Sequence, residues 1–259
     1  MNIIVCVKQV PDTTEIKIDP QTNTLIREGV ESIINPFDLY AIEEAIRLKE
    51  AYGGKVTALS MGPPQVESAL RDAVAMGVDE IILLSDRKFA GADTWATSLT
   101  LAAAIDQMEY DLVFFGQQAI DGDTAQVGPG VAAHLDIPQV GFVKTVESYA
   151  ANRLIVQRLM EDGFDRIELG LPAVLTVVKD INTPRLPSLR GKRKAKKAEL
   201  KILNADDLQL EENNIGLNGS PTQVVNIFSP ELKKGGAKHD LPAEDLAKIL
   251  CDKLKELGK

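Results

Sequence analysis

Four short, almost unbroken apolar runs alternate with longer stretches of helical spacing, and this alternation limits the folds open to the chain more than any other feature. The runs are Asn2 to Lys8, Lys55 to Ser60, Glu80 to Ser85 and Leu112 to Phe115. A strand with one wet face alternates apolar and polar residues. A strand that is apolar throughout is covered on both faces, as in a parallel sheet flanked by two layers of helices. Strands separated by helix-length segments are the mark of βαβ units. The expected fold class is therefore α/β, with a doubly wound, mostly parallel sheet.

Capping chemistry supplies the helix boundaries. Asn35 followed by Pro36 reads as an N-cap with proline in the first turn; Leu39, Ile42 and Ile46 then share a face until Gly53 and Gly54 stop the helix. A second helix is expected over Pro64 to Met76, ended by Gly77, a third over Thr94 to Met108, and a fourth from near Thr124. Beyond Pro138 the extended segments Val140 to Val146, Arg153 to Leu159 and Ala173 to Val178 read as an antiparallel addition to the sheet. Thr183 to Pro187 is turn-like, residues 204–240 are polar and rich in glycine, asparagine and proline, and only Ala243 to Leu257 regains helical periodicity. The chain thus divides into a sheet domain over 1–182, a basic connector over 183–200 and an extended C-terminal arm over 201–259. The arm lacks the periodic apolar residues for a core of its own. It packs either on another subunit, the reading preferred here, or back on its own domain.

Composition narrows the setting. With 259 residues, 44% of them hydrophobic, the chain can bury a core. No window approaches the ~18 consecutive apolar residues of a membrane span, and Met1 to Lys8 has neither the charged region nor the cleavage site of a signal peptide. A cytoplasmic protein without membrane insertion is expected. Two cysteines, Cys6 and Cys251, support neither a disulfide framework nor a thiolate metal site, and His134 and His239 lack ligand spacing, so no metal is expected. The net charge is −9, yet Arg190 to Lys197 carries six positive charges and no negative one. No aromatic residue is interleaved there, and an acidic remainder repels a polyanion. The run reads as a solvated connector or a docking segment for an acidic protein partner, not a nucleic-acid site.

The segment Gly116 to Gly130 follows the fourth apolar run and leads into a helix. A polar, glycine-rich turn at that junction leaves main-chain N–H groups free at the positive end of a helix dipole, where a nucleotide phosphate binds. A turn made polar only for helix entry has the same local composition. Three further segments fall at strand ends or helix starts as well: Val7 to Asp12, Met61 to Pro64 and Gly91 to Thr94. In doubly wound sheets ligands bind beyond the carboxyl ends of the strands, so the agreement in position favours a nucleotide. Gly-x-Gly-x-x-Gly after the first strand and Gly-Lys-Ser/Thr are both missing, which argues against the usual dinucleotide fingerprint and against ATP hydrolysis. Asp121 and Asp123 are expected to cap the next helix and to accept from ribose or main-chain groups, so no catalytic side chain is assigned.

The combined pattern resembles the beta subunit of electron transfer flavoproteins over essentially the whole chain. The resemblance rests on Val5 to Val10, Asn35 to Ala45, Gly116 to Gln126, Leu171 to Thr176 and Pro184 to Lys197. It implies a Rossmann-like domain that pairs with an alpha subunit, whose own FAD shuttles electrons to a dehydrogenase of the acyl-CoA or hydroxy-acid class. Carried over by position, the cofactor contacts are Cys6, Val7 and Lys8; Asn35, Phe37 and Asp38; Met61 and Gly62; and Gly116, Gln117, Gln118, Ala119, Ile120, Asp121, Gly122, Asp123, Thr124, Ala125, Gln126 and Val127. Leu189 and Arg190 fall at the partner-recognition loop. One branch of the family holds AMP in this site and the other holds a second FAD, which takes a hydride from NADH and divides its electrons between the alpha-subunit FAD and ferredoxin or flavodoxin. Asp93, Thr94 and Thr97 are further cofactor contacts at another helix start, where Thr94, Thr97 and Ser98 either bind a second phosphate or serve helix capping and packing; the segment resembles the two-FAD branch, and FAD is the expected cofactor with AMP as the alternative. A stand-alone regulatory protein of similar fold, or an RNA-binding protein using the basic run, are the competing classes.

Overall fold

A computed structural model describes residues 1–12, 32–225 and 235–258. Two compact units are present, Met1–Val225 and Asn226–Lys259.

The first unit is built on a nine-stranded sheet. Its strands in chain order are β1 (Asn2–Cys6), β4 (Lys55–Met61), β5 (Glu80–Leu84), β6 (Leu112–Gly116), β7 (Gln139–Ala150), β8 (Arg153–Leu159), β9 (Phe164–Gly170), β10 (Ala173–Val177) and β11 (Leu200–Leu203). A separate antiparallel pair joins β2 (Gln9–Pro11) to β3 (Ser32–Ile34). Across the main sheet the order is β11-β5-β4-β1-β6-β10-β7-β8-β9. Every neighbouring pair from β11 to β7 is parallel, while β8 and β9 add an antiparallel extension. Connections after β1 run outward through β4 to β5 and then return to the far side of β1 as β6, so the winding reverses between β1 and β6. In doubly wound sheets such a reversal is where ligands bind, in the crevice outside the carboxyl ends of the strands.

Period-two alternation in each strand feeds two apolar layers. In β1, Ile3 and Val5 join the cluster covered by α1 (Pro36–Tyr52) and α2 (Glu67–Met76), whereas Ile4 and Cys6 join the one under α3 (Thr94–Asp106) and α4 (Val127–Leu135). Leucine, isoleucine and valine on both faces explain why these strands read as continuous apolar runs.

Several expectations change. Ala173 to Val178 does not extend an antiparallel segment: β10 lies inside the sheet, parallel to both β6 and β7, and all five of its residues are buried. An apolar run without alternation fits that position better than an edge. The fourth helix begins at Val127, not near Thr124, because Asp123 and Ala125 have positive φ and cannot lie in a right-handed helix. The basic run is a helix, α5 (Leu189–Lys197), started by Ser188, whose Oγ accepts from the Gly191 N–H at 2.9 Å. It packs on α2, where Arg71 donates to the carbonyls of Ala195 and Ala198 and Lys194 donates to that of Val78 at 3.0 Å. Leu200–Leu203 pairs with β5, and Ala205, Leu208 and Ile215 are buried in the α3/α4 layer, so the stretch after α5 folds back on the first unit.

The second unit contains α6 (Ala243–Leu257), none of whose residues is buried. Residues 226–234 of the expected arm lie outside the described residues. No helix among the described residues is long and apolar enough to cross a membrane.

Candidate nucleotide site and docking face

The crevice begins with Gly116, the last residue of β6. A Cβ there would collide with Oδ1 of Asp38 and the carbonyl carbon of Phe37, so only glycine lets the first turn of α1 come this close to the strand end. Asp38 is buried, and its carboxylate faces donors from two loops. It accepts from the main-chain N–H of Lys8 at 2.7 Å and from Asn35 Nδ2 at 2.9 Å, and the N–H of Gly116 also points at it. Burial pushes its carboxyl from 3.8 up to about 7, although every one of these bonds, and the Lys8 charge, pulls it down. The neighbouring Cys6 thiol is raised too, first by burial and then by the Asp38 charge.

Asn35 stands at the N-cap position of α1, yet its side chain makes no capping bond. Instead Nδ2 also donates to the carbonyl of Gln118 at 2.8 Å, and Oδ1 accepts from the N–H of Ile120 at 3.2 Å, so one amide stitches α1 to the loop after β6. Asp121 and Asp123 do not cap α4 either. Asp121 pairs with Lys8 Nζ at 2.6 Å across the reversal point, and Asp123 accepts from Gln118 Nε2. α4 starts after Gln126 without a side-chain cap. Among the described residues, nothing accepts from the N–H groups of Thr124, Ala125, Gln126 or Val127. Together with the left-handed Asp123 and Ala125, this gives a concave row of free donors at a helix N-terminus, which suits an anionic oxygen.

The start of α3 reaches the same place. Thr94 Oγ1 donates to Gln126 Oε1 at 2.9 Å, and Ser98 Oγ lies 3.3 Å from the Val127 carbonyl, so the N-termini of α3 and α4 converge. Asp93 caps α3 through Trp95 N–H (2.9 Å) and Ala96 N–H (3.1 Å), while its other oxygen accepts from the N–H and hydroxyl of Thr222. Burial alone would push the Asp93 carboxyl up, yet these bonds hold it below its ordinary value. Its side chain is thus committed to the fold, whereas Thr97, half-buried one turn on, donates its N–H to the Asp93 carbonyl at 3.0 Å. His134 packs edge-on against Trp95, with ring centroids 4.7 Å apart.

Most residues named from sequence therefore meet on one rim. Cys6 ends β1 and Val7 and Lys8 follow it, Met61 ends β4 and Gly62 follows it, and Gly116 to Val127 leave β6. The N–H of Val7 bonds to Leu59 and that of Gly62 to Leu84, tying the strand-end turns together. The side chain of Val7 is buried in the core and leaves only its main chain to the crevice; the loop from Ile120 to Thr124 is exposed. Ser220 and Thr222, which brace Asp93, carry no signal in sequence, since their role depends on a fold-back more than a hundred residues later.

Leu189 and Arg190 stand elsewhere, at the exposed start of α5. Leu189 is 82% exposed, and Leu186, which no sequence motif marks, is 89% exposed. Bulky leucine next to Pro187 in a polar turn is the signal that could have found it. Between them and α1, Arg185 donates from Nε and Nη2 to Glu43 (2.8 and 3.2 Å) and from Nη1 and Nη2 to Glu50 (2.7 and 3.0 Å). Burial alone would push Glu43 up, yet the Arg185 and Arg47 bonds hold it below its ordinary value.

Known proteins share this sequence along most of its length. The family model "Electron transfer flavoprotein domain" matches residues 22–208. An electron transfer flavoprotein subunit beta of Thermoanaerobacterium thermosaccharolyticum is 58% identical over 91% of each chain. One from Clostridium acetobutylicum is 52% identical over 99% of this chain and 98% of its own. Subunit CarD of the caffeyl-CoA reductase-Etf complex of Acetobacterium woodii is 50% identical over 99% of this chain and 98% of its own. With a family model covering well over half its length and relatives this similar end to end, the chain belongs to the electron transfer flavoprotein family, among its beta subunits.

Proposed function

We propose that this chain binds FAD in the crevice between β1 and β6 and works as the beta half of an electron-bifurcating heterodimer. The observation that carries the reading is the convergence of the α3 and α4 N-termini, marked by the Thr94–Gln126 bond, beside a row of free main-chain donors. One helix start with its donor row suffices for the single phosphate of AMP. Beside that row the start of α3 brings the Thr94 hydroxyl, a further polar group for the second phosphate of a dinucleotide, while the Trp95 and Ala96 N–H groups of that helix stay on Asp93. The small residues of the rim let that group approach the main chain closely, and Lys8, paired with Asp121, can turn its ammonium toward it.

When bound, FAD would supply the redox chemistry, accepting a hydride from NADH and passing one electron to the alpha-subunit FAD and the other to ferredoxin or flavodoxin. The chain's own residues bind and orient it: Asn35 and Asp38 shape the loop, Gly116 clears the approach, and the N–H groups of Thr124 to Val127 hold the anion. No acid or base is assigned. Leu186 and Leu189, two exposed apolar anchors beside the cations of α5, are placed to dock a dehydrogenase. CarD belongs by name to a complex with a CoA-ester reductase, which supports the acyl-CoA class. α6, with its exposed leucines, is the part of the C-terminal arm that we assign to the alpha subunit.

Counting cofactors on the purified heterodimer tests the reading. About two flavins per heterodimer, one released when Asp123 or Thr124 is replaced by alanine, is the expected result. One flavin plus AMP would return the chain to a carrier with a structural nucleotide.

A further inference from the structure

Asp38 is a carboxylate whose neighbours only donate. The N–H of Lys8, the Nδ2 of Asn35 and the N–H of Gly116 all point at it. An ionised carboxyl accepts from all three, whereas a protonated one carries an O–H that finds no acceptor among them and turns one oxygen into a competing donor. The consequence travels outward. Because Nδ2 of Asn35 faces Asp38, its Oδ1 faces the Ile120 N–H, and the same Nδ2 also reaches the Gln118 carbonyl. A flipped amide would set oxygen against both the carboxylate and that carbonyl, and NH2 against the Ile120 N–H. The charge on Asp38 thus acts with the Gln118 carbonyl and the Ile120 N–H to fix which way Asn35 points, and Asn35 fixes the main chain of the loop at two places.

We propose that Asp38 is the positioning residue of the nucleotide site: as a carboxylate it orients Asn35 and the turn at Lys8 so that the loop from Gln117 to Gln126 keeps its binding shape, and on protonation it releases that loop. This rests on the reading of the crevice as a nucleotide site and adds to it a dependence on pH. The titratable and charged groups around Asp38 are the thiol of Cys6 and the ammonium of Lys8 from the end of β1, with Asp121 of the loop behind Lys8; the end of β6 presents the main chain of Gly116. Burial places the proton uptake near neutrality, at about 7, inside the range over which a cell's pH moves.

Calorimetric titration of the full chain with FAD, from about pH 5.5 to about pH 8.5, decides the matter. FAD is chosen because its diphosphate diester keeps its charge over this range, whereas a monophosphate such as AMP titrates near about pH 6. The expected result is an affinity that weakens about tenfold or more toward the acid end, as loss of one or two loop hydrogen bonds implies, with a midpoint near 7. Asp38→Asn should bind weakly throughout, with a flat profile. A folding defect in that variant leaves the wild-type profile decisive by itself. FAD binding that is independent of pH in the wild type, or an Asp38→Asn variant that keeps the wild-type affinity and profile, overturns the inference and leaves the nucleotide site standing. Failure to bind FAD at any pH overturns the FAD reading and this inference with it.

Discussion

At the scale of single residues, the site depends on two groups with little room to vary. Gly116 is required by close approach, since any side chain meets Asp38 and Phe37. Gly116→Ala is expected to destabilise the fold by about 1–3 kcal/mol, as overpacking in a filled region does, and to lose nucleotide first, because the strain falls on the loop; denaturant titration with and without ligand checks both. Asp38 affects stability with the sign opposite to that of a salt-bridged carboxylate. Its folded value is raised from 3.8 to about 7, so the fold favours the neutral form. Its stabilising contribution is complete below about pH 4 and is lost as pH rises through 7. Relative to Asp38→Asn, which does not titrate, the wild type should lose a few kcal/mol, at most about 4, between those limits, because each pH unit separating the folded and unfolded pKa is worth about 1.4 kcal/mol. Urea denaturation at a series of pH values reads this directly, and a difference that stays constant or grows in favour of the wild type contradicts it. Stability and binding therefore pull this group in opposite directions, as expected of a residue kept for function.

At the scale of elements, the connector after β10 is fastened to α1 by two side chains. Arg185 bridges Glu43 and Glu50 on α1 while Asn182 donates to the Tyr40 carbonyl and to Glu44, both at 3.0 Å, so the turn carrying Leu186 and Leu189 is set before any partner arrives. Preorganisation of this kind lowers the ordering cost of docking. Arg185→Lys keeps the charge but cannot span both carboxylates; steady-state assay with the partner dehydrogenase should show KM raised about fivefold to tenfold with kcat little changed. Equal loss in both parameters would place Arg185 in general stability instead. The same region shows why some elements were legible and others not. β1, β4, β5 and β6 announced themselves because strands buried on both faces carry continuous apolar residues, and the rim residues followed from where those strands end. β9, with Phe164, Asp165, Arg166 and Glu168 exposed, has no core-facing run to betray it, and β11 is a short edge strand. The bracing of Asp93 by Thr222 and the diversion of Asn35 from capping depend on contacts between segments far apart in sequence, which no local pattern encodes.

At the scale of the whole molecule, the chain separates into a unit that satisfies itself and one that does not. Met1–Val225 buries both faces of the parallel strands β4, β1, β6 and β10, and ends its sheet in the edge strands β11 and β9. The helix α6 does not bury its apolar stripe: Leu246, Leu250, Leu254 and Leu257 recur at helical spacing and are 39%, 59%, 59% and 81% exposed. A fifteen-residue helix is marginal in water unless a partner covers such a face. Removal of residues 226–259 is therefore expected to leave the melting temperature of the remaining unit within about 2 °C, since none of the described residues it removes is buried and a ~1 kcal/mol change moves a domain of this size by only about 2–4 °C. The same truncation should abolish co-purification with the alpha subunit while FAD affinity of the isolated chain is retained. Scanning calorimetry, pull-down and flavin titration on one truncated protein separate these outcomes. A truncated chain that still forms the heterodimer would show that assembly is carried by the first unit, and that the leucines of α6 face some other surface.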